Sequence, residues 1–283
     1  MRDVFEGYHP IVNLVWFAAV LAFSMFFTHP VCLAVSFLCA IVYSRFKGLL
    51  YLLPLILVTA LINPAFNHAG ATILAYLPGG NPLTLESILY GAAAAVMLVT
   101  VISWCSRLNA VISSDKLTYL FGRVIPALSL VFSMSLRFVP RFLGQVKAVS
   151  NARRGLGEVP GGNVIKKAKY GLRTLSVTVT WALENAVETA DSMRARGYGL
   201  PGRTAFSIYR FDGRDAGALA FTVFCAAYVI AGAVRGALEW RYFPTVGGTY
   251  PTDVFAAYLA LCAMPIFLNV REDFRWRAIE SKI

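Results

Sequence analysis

Two short stretches place an arginine directly before a glycine where a helical pattern stops: Ala152-Arg153-Arg154-Gly155-Leu156-Gly157 and Arg194-Ala195-Arg196-Gly197-Tyr198-Gly199. A glycine there can supply the left-handed backbone that ends a helix. The arginine before it then projects from the helix tip, where its charge suits the negative end of the helix dipole. Its planar fork can bond carboxylates or carbonyls inside a closed groove, and it stays charged when partly buried. A single basic residue of this kind is accounted for by capping or by lipid head groups. Two of them, with the same residue order and some forty residues apart, form a basic pair that could plug into another protein.

Other chemistry is poorly represented. There is no GxxxxGK[ST] phosphate loop, and no Gly-Lys pair occurs in the chain. There is no HExxH, and His9, His29 and His68 lack metal-ligand spacing. The five cysteines, Cys32, Cys39, Cys105, Cys225 and Cys262, lie inside apolar runs and make no CxxC pair, so they read as small buried hydrophobes. The expectation is a protein with no catalytic residues, no metal and no cofactor.

The elements that must carry the arginine pair are embedded in a membrane-like sequence. The 283 residues are 58% hydrophobic and only 14% charged, against about 25% charged in soluble domains, and mean hydropathy is +0.62. A bilayer core needs about 20 apolar residues per helix. Six segments come near this: Ile11–Phe27, Val31–Tyr43, Leu49–Ile62, Ser87–Cys105, Ala216–Val234 and Val254–Val270. No cleavable signal peptide is evident at the start. The loop Asn63–Glu86 holds no Lys or Arg, whereas 17 of the 26 basic residues fall between Arg107 and Arg214 and four more follow Val270. Basic loops face the cytoplasm, so both termini are expected there.

The stretch between the fourth and fifth spans is too long to be a mere connection. It reads as two amphipathic helices, about Ser129 to Arg154 and about Val164 to Arg196, with a shorter one over Leu117–Ile125. Pro126 and Pro140 should mark a start and a bend in the first. In the second, Ala182, Ala186 and Ala190 at four-residue spacing would let another helix approach closely. Glu184, Glu188 and Asp191 form an acidic row that either meets Arg137 and Arg141 or faces solvent. Gly232 and Gly236 form a GxxxG that reads as ordinary packing between spans. The expected fold is an all-α integral membrane protein of about six transmembrane helices. It divides into N-terminal spans (1–106), a cytoplasmic coupling domain (107–215) and C-terminal spans with a short tail (216–283).

These residues resemble the transmembrane T component of energy-coupling factor transporters, the EcfT, CbiQ and BioN group, over nearly the whole chain. The likeness rests on Asp191-Ser192-Met193-Arg194-Ala195-Arg196-Gly197-Tyr198-Gly199, which matches the family's Ala-Arg-Gly signature, and on Asn151-Ala152-Arg153-Arg154-Gly155-Leu156, where Arg153 stands in place of the usual alanine. Tyr8-His9-Pro10, Asn63-Pro64-Ala65-Phe66-Asn67 and Leu136-Arg137-Phe138-Val139-Pro140 support it. The resemblance implies a non-catalytic scaffold of a vitamin or transition-metal (cobalt or nickel) importer in the cytoplasmic membrane. Two cytoplasmic ABC ATPases would be gripped through Arg153, Arg154, Gly155, Ala195, Arg196 and Gly197, with Arg154 and Arg196 as the anchors. A separate substrate-binding membrane S component would dock on the apolar faces of the two helices, and nucleic acid has no part. A conventional ABC permease with its own substrate path, or a basic scaffold at the membrane surface, are the competing readings.

Overall fold

The computed structural model describes residues 4–44, 49–76, 82–124, 126–158, 162–198, 200 and 209–280. The chain divides into two compact units, Met1–Leu117 with Tyr209–Ile283, and Thr118–Ile208.

The first unit opens with a 3-10 helix, Val4–Gly7, followed by α1 (Pro10–Phe26), α2 (Pro30–Ser44) and α3 (Leu49–Phe66). A small hairpin of β1 (Ile73–Tyr76) and β2 (Pro82–Thr84) leads into α4 (Leu85–Val111) and the start of α5 (Ser114–Val124). The second unit holds the rest of α5, then α6 (Pro126–Gly155) and α7 (Val164–Ala195). The chain returns to the first unit with α8 (Gly213–Val234), a short hairpin of β3 (Trp240–Arg241) and β4 (Gly247–Gly248), and α9 (Thr252–Glu280). Each of the six apolar segments expected from the sequence coincides with a helix. Three of those helices, Leu85–Val111, Gly213–Val234 and Thr252–Glu280, are long and apolar enough to cross a membrane. The fold is all-α, as the composition requires of a chain that must satisfy its backbone within an apolar medium.

α1 begins where Pro10, whose missing N–H costs nothing at a helix start, follows His9, whose Nδ1 accepts from the Ile11 amide at 3.3 Å. The unit's core is aromatic and aliphatic: Phe5, Val12, Trp16, Phe17 and Val20 are fully buried. The two large indoles find partners, as buried Trp N–H groups do: Trp16 Nε1 donates to the Leu261 carbonyl at 2.9 Å and Trp104 Nε1 to Ser36 Oγ at 3.0 Å. Large apolar side chains such as Phe26, Phe66, Phe224 and Phe267 stay exposed on the outside, the pattern of a lipid-facing surface. A Cβ on Gly232 would stand 2.7 Å from Val254 Cγ2, so this glycine lets α8 and α9 touch, and Gly236 (φ +75°) ends α8.

The helix ends of this unit fall into two groups, so the helices run alternately up and down. At one end the three connections meet: the Tyr242 hydroxyl donates to the Thr28 carbonyl, His29 Nε2 bonds the Thr249 carbonyl at 3.0 Å, and the Ala71 amide donates to the Pro244 carbonyl. At the other end the N-terminal segment meets the end of α4 and the starts of α5 and α8. Lys116, a buried lysine, donates from Nζ to the carbonyls of Glu6 and Val111. The His9 amide donates to buried Asp215, which also caps α8, and the Val4 amide donates to Asn269 Oδ1 of α9.

Candidate functional site

In the second unit, α6 starts at Pro126 and continues through Pro140, and α7 starts just after Asn163. Both end in the same Schellman motif. At the end of α6, the Gly157 amide donates to the Arg154 carbonyl and the Glu158 amide to the Arg153 carbonyl, both at 3.0 Å. At the end of α7, the Gly197 amide donates to the Arg194 carbonyl and the Tyr198 amide to the Met193 carbonyl, both at 3.0 Å. The left-handed glycines are Gly157 (φ +84°) and Gly197 (φ +81°). The expectation of a left-handed glycine directly after the arginine therefore holds at Gly197 and shifts by two residues at the first tip. There Gly155 is the last helical residue, because the next glycine, at 157, is free to take the turn. Gly155 matches Ala195 in this register, and Leu156 matches Arg196.

The guanidinium groups differ sharply. The side chains of Arg154 and Arg196 are exposed and enter no hydrogen bond or ion pair among the described residues, and the same is true of the Arg194 side chain. Arg153 is 13% exposed and occupied. Its Nε donates to Glu158 Oε2 at 2.8 Å, and its Nη2 forms an ion pair with the same oxygen. Its Nη1 donates to the Tyr170 carbonyl at 2.8 Å and to Thr174 Oγ1 at 2.7 Å, and the group lies 4.2 Å from the centre of the Tyr170 ring. Arg173 adds a longer ion pair to Glu158 at 3.8 Å. Ser150 and Tyr170 also exchange bonds at 3.0 Å.

Along the pair the contacts run 153 with 170 and 174, 150 with 170, then 141 and 138 with 181, so the helices are antiparallel. Arg154 and Arg196 thus lie at opposite ends of the pair. At 1.5 Å per residue the 32-residue α7 is about 48 Å long. The buried residues of α7 are Thr174 and Thr178. Beyond Trp181 the helices leave an open cleft of about 1050 Å³, walled by Met134, Phe138, Ala182, Ala186, Ala190 and Met193 among others. Ala182 is half-buried, while Ala186 and Ala190 are exposed in that cleft. The buried side chains of α7, Thr174 and Thr178, lie about two turns and one turn before Ala182. Glu184, Glu188 and Asp191 are exposed, and no ion pair joins them to Arg137 or Arg141 among the described residues. Arg141 instead lies over the Trp181 ring at 5.8 Å.

Sequence reasoning did not single out Glu158, Tyr170 or Thr174. The available signal was local: an extra arginine at 153, with a carboxylate five residues on, after a turn that brings the two together. Among the described residues no group of three His, Cys, Asp or Glu could hold a metal ion.

The family CbiQ, described as "Cobalt transport protein", matches residues 10–208. A Mycoplasma pneumoniae protein named "Uncharacterized protein MG181 homolog" is 29% identical over 180 residues, 59% of this chain and 42% of that protein. The "Energy-coupling factor transporter transmembrane protein EcfT" of Lactobacillus helveticus is 31% identical over 106 residues, 37% of this chain and 38% of that one. The protein of the same name from Lacticaseibacillus paracasei is 30% identical over 181 residues, 60% of this chain and 68% of its own length. The aligned part thus spans about two-fifths of the length of the first two relatives.

Proposed function

The chain belongs to the CbiQ family of cobalt transport proteins, and we propose that it is the transmembrane coupling subunit, the T component, of an energy-coupling factor importer. In this reading it hydrolyses nothing itself. It passes ATP-driven motion from two cytoplasmic ABC ATPases to a separate membrane subunit that binds a vitamin or a transition-metal ion. The six apolar helices are the spans. The helix ends that meet at Lys116 and Asp215 face the cytoplasm, because the basic residues concentrate in the segments leaving that end.

One observation carries the reading. α6 and α7 end in matching caps at opposite ends of an antiparallel pair, and each presents an exposed arginine whose guanidinium has no partner among the described residues, Arg154 and Arg196. A charge left free at a rigid helix tip is suited to a groove in a second protein. Two tips separated along α7 by about 33–39 Å, from the level of Tyr170 and Thr174 to Arg196, suit two such proteins side by side. The names of the relatives, energy-coupling factor transporter transmembrane proteins, accord with this role.

The test is co-purification of the full chain with co-expressed candidate ABC ATPases and a candidate substrate-binding membrane protein, in wild type and in the double variant Arg154→Ala, Arg196→Ala. The wild type should retain two ATPase chains and support ATP-driven uptake, and the double variant should lose both. Unchanged association and uptake in the double variant would refute the assignment.

A further inference from the structure

We infer that Arg153 is a positioning residue rather than a contact for a partner: it pins the end of α6 to α7, fixes the angle between the helices there and so aims Arg154. The inference rests on the coupling reading above and assigns this arginine, which stands beside the anchor, a different task.

The geometry is specific. The donors of the Arg153 guanidinium are directed inward, to Glu158 beyond the turn and to Tyr170 and Thr174 across the pair, with the Tyr170 ring stacked against it. Its own carbonyl accepts the Glu158 amide, so the same residue closes the helix cap and straps the cap to the neighbouring helix. Arginine alone can do this, because the fork reaches three acceptors at once while its face stacks on an aromatic ring. Charge-assisted bonds of this kind are among the stronger ones in proteins. The strap lies where α6 ends and α7 begins, and the opposite half of the pair stands apart across the cleft.

The matching position at the end of α7 is Met193, which lines that cleft and can make no such strap. The two tips are therefore mechanically unequal. Arg154 leaves a tip that is tied to its neighbour, and Arg196 leaves one that borders open space. A pull on Arg154 moves both helices at their junction, whereas a pull on Arg196 changes the width of the cleft.

The experiment uses the full chain in lipid nanodiscs, with and without its ATPases, and compares Arg153→Ala, Thr174→Val and Arg154→Ala. Amide hydrogen exchange is followed over residues 166–176 together with ATPase affinity and uptake per ATP hydrolysed. Arg153→Ala and Thr174→Val should both speed exchange in that stretch, the first by about tenfold or more. Both should weaken ATPase binding less than Arg154→Ala does, because they loosen the aim of Arg154 without removing its contact, and both should lower uptake per ATP. Arg154→Ala should do the reverse, weakening association with exchange unchanged. Arg153→Ala that weakens ATPase binding while exchange stays at the wild-type rate would overturn the inference and make Arg153 a contact residue. Thr174 is buried, so its valine variant reports on the strap even where Arg153→Ala folds poorly. If no ATPase binds the wild type, the coupling reading fails, and the exchange comparison still decides whether the strap exists.

Discussion

Gly157 and Gly197 close their helices with the same two hydrogen bonds, and in that register Arg154 lies opposite Arg194, not Arg196. Arg154 belongs to the last helical turn of α6, whereas Arg196 is the cap residue itself, followed at once by the left-handed glycine. The two guanidinium groups consequently leave their helices in different directions relative to the cap. Grooves that receive them would differ in the same way, and a partner shaped for one tip would not fit the other equally.

This gives the first prediction. Arg154→Ala and Arg196→Ala should each cost about 2–5 kcal/mol of ATPase binding, the usual penalty for truncating one side of a buried charged contact. Arg194→Ala should cost less than about 1 kcal/mol, as a rim charge does. Titration of purified ATPase onto the immobilised membrane protein measures all three. An Arg194 variant as weak as the Arg196 one would mean that the capping register, rather than the Arg-Gly sequence, defines the anchor.

The glycines give the second. Gly157→Ala forces a side chain into a left-handed conformation that costs about 1–2 kcal/mol, although no atom lies within 4 Å of the added Cβ. The Glu158 amide should then exchange about 5–30 times faster, the population change for that energy. Gly155→Ala replaces a helical glycine that faces open space and should stabilise the tip by about 0.5–1 kcal/mol. Equal effects at 155 and 157 would contradict the cap described above.

What the sequence disclosed follows from which forces are local. The apolar runs, the proline and glycine punctuation and the helical period of Val164 to Arg196 depend on neighbours in the chain, and those elements stand where expected. The choice between Gly155 and Gly157 as the stop is decided by a balance of two adjacent caps, both allowed by the residues. The strap from Arg153 to Thr174 spans 21 residues and depends on how α7 folds back, which periodicity does not specify. The alanine stripe was legible as a row of small residues, but which face of α7 meets α6 is set by Tyr170, Thr174, Thr178 and Trp181 acting together. The meeting of the three connections around His29 is equally non-local, since Thr249 lies 220 residues away.

That meeting yields a pH dependence. His29 is fully buried against Trp240, Tyr250 and Phe255, its Nδ1 accepts from the Val31 amide, and its Nε2 bonds the Thr249 carbonyl. Burial lowers its pKa below the ordinary 6.5, with the Thr249 bond opposing the shift. The unfolded chain thus binds the proton more readily than the folded one. The stabilising effect of neutral His29 is complete above about pH 6.5 and declines as pH falls from there toward the depressed folded value. The melting temperature of the wild type in detergent should fall more steeply between pH 7 and pH 5 than that of His29→Gln, which keeps a donor but cannot titrate. Parallel slopes would show that His29 does not ionise with unfolding.

The last prediction separates packing from function within α7. Thr178 is fully buried, with its hydroxyl bonded to the Thr174 carbonyl at 2.8 Å. Thr178→Leu adds bulk to a filled site and should destabilise the α6–α7 pair by about 1–3 kcal/mol, the usual cost of overpacking. Ala186 lies two turns further on, exposed in the cleft. Ala186→Leu should leave stability within about 0.5 kcal/mol, as surface changes do. It should nevertheless reduce ATP-driven uptake if the cleft narrows or receives another subunit during transport, because leucine projects into the space that must change. Thermal melts of both variants, paired with uptake by the reconstituted complex, distinguish the two sites. Full uptake by a stable Ala186→Leu protein would remove the cleft from the transport cycle and leave coupling to the strapped end of the pair.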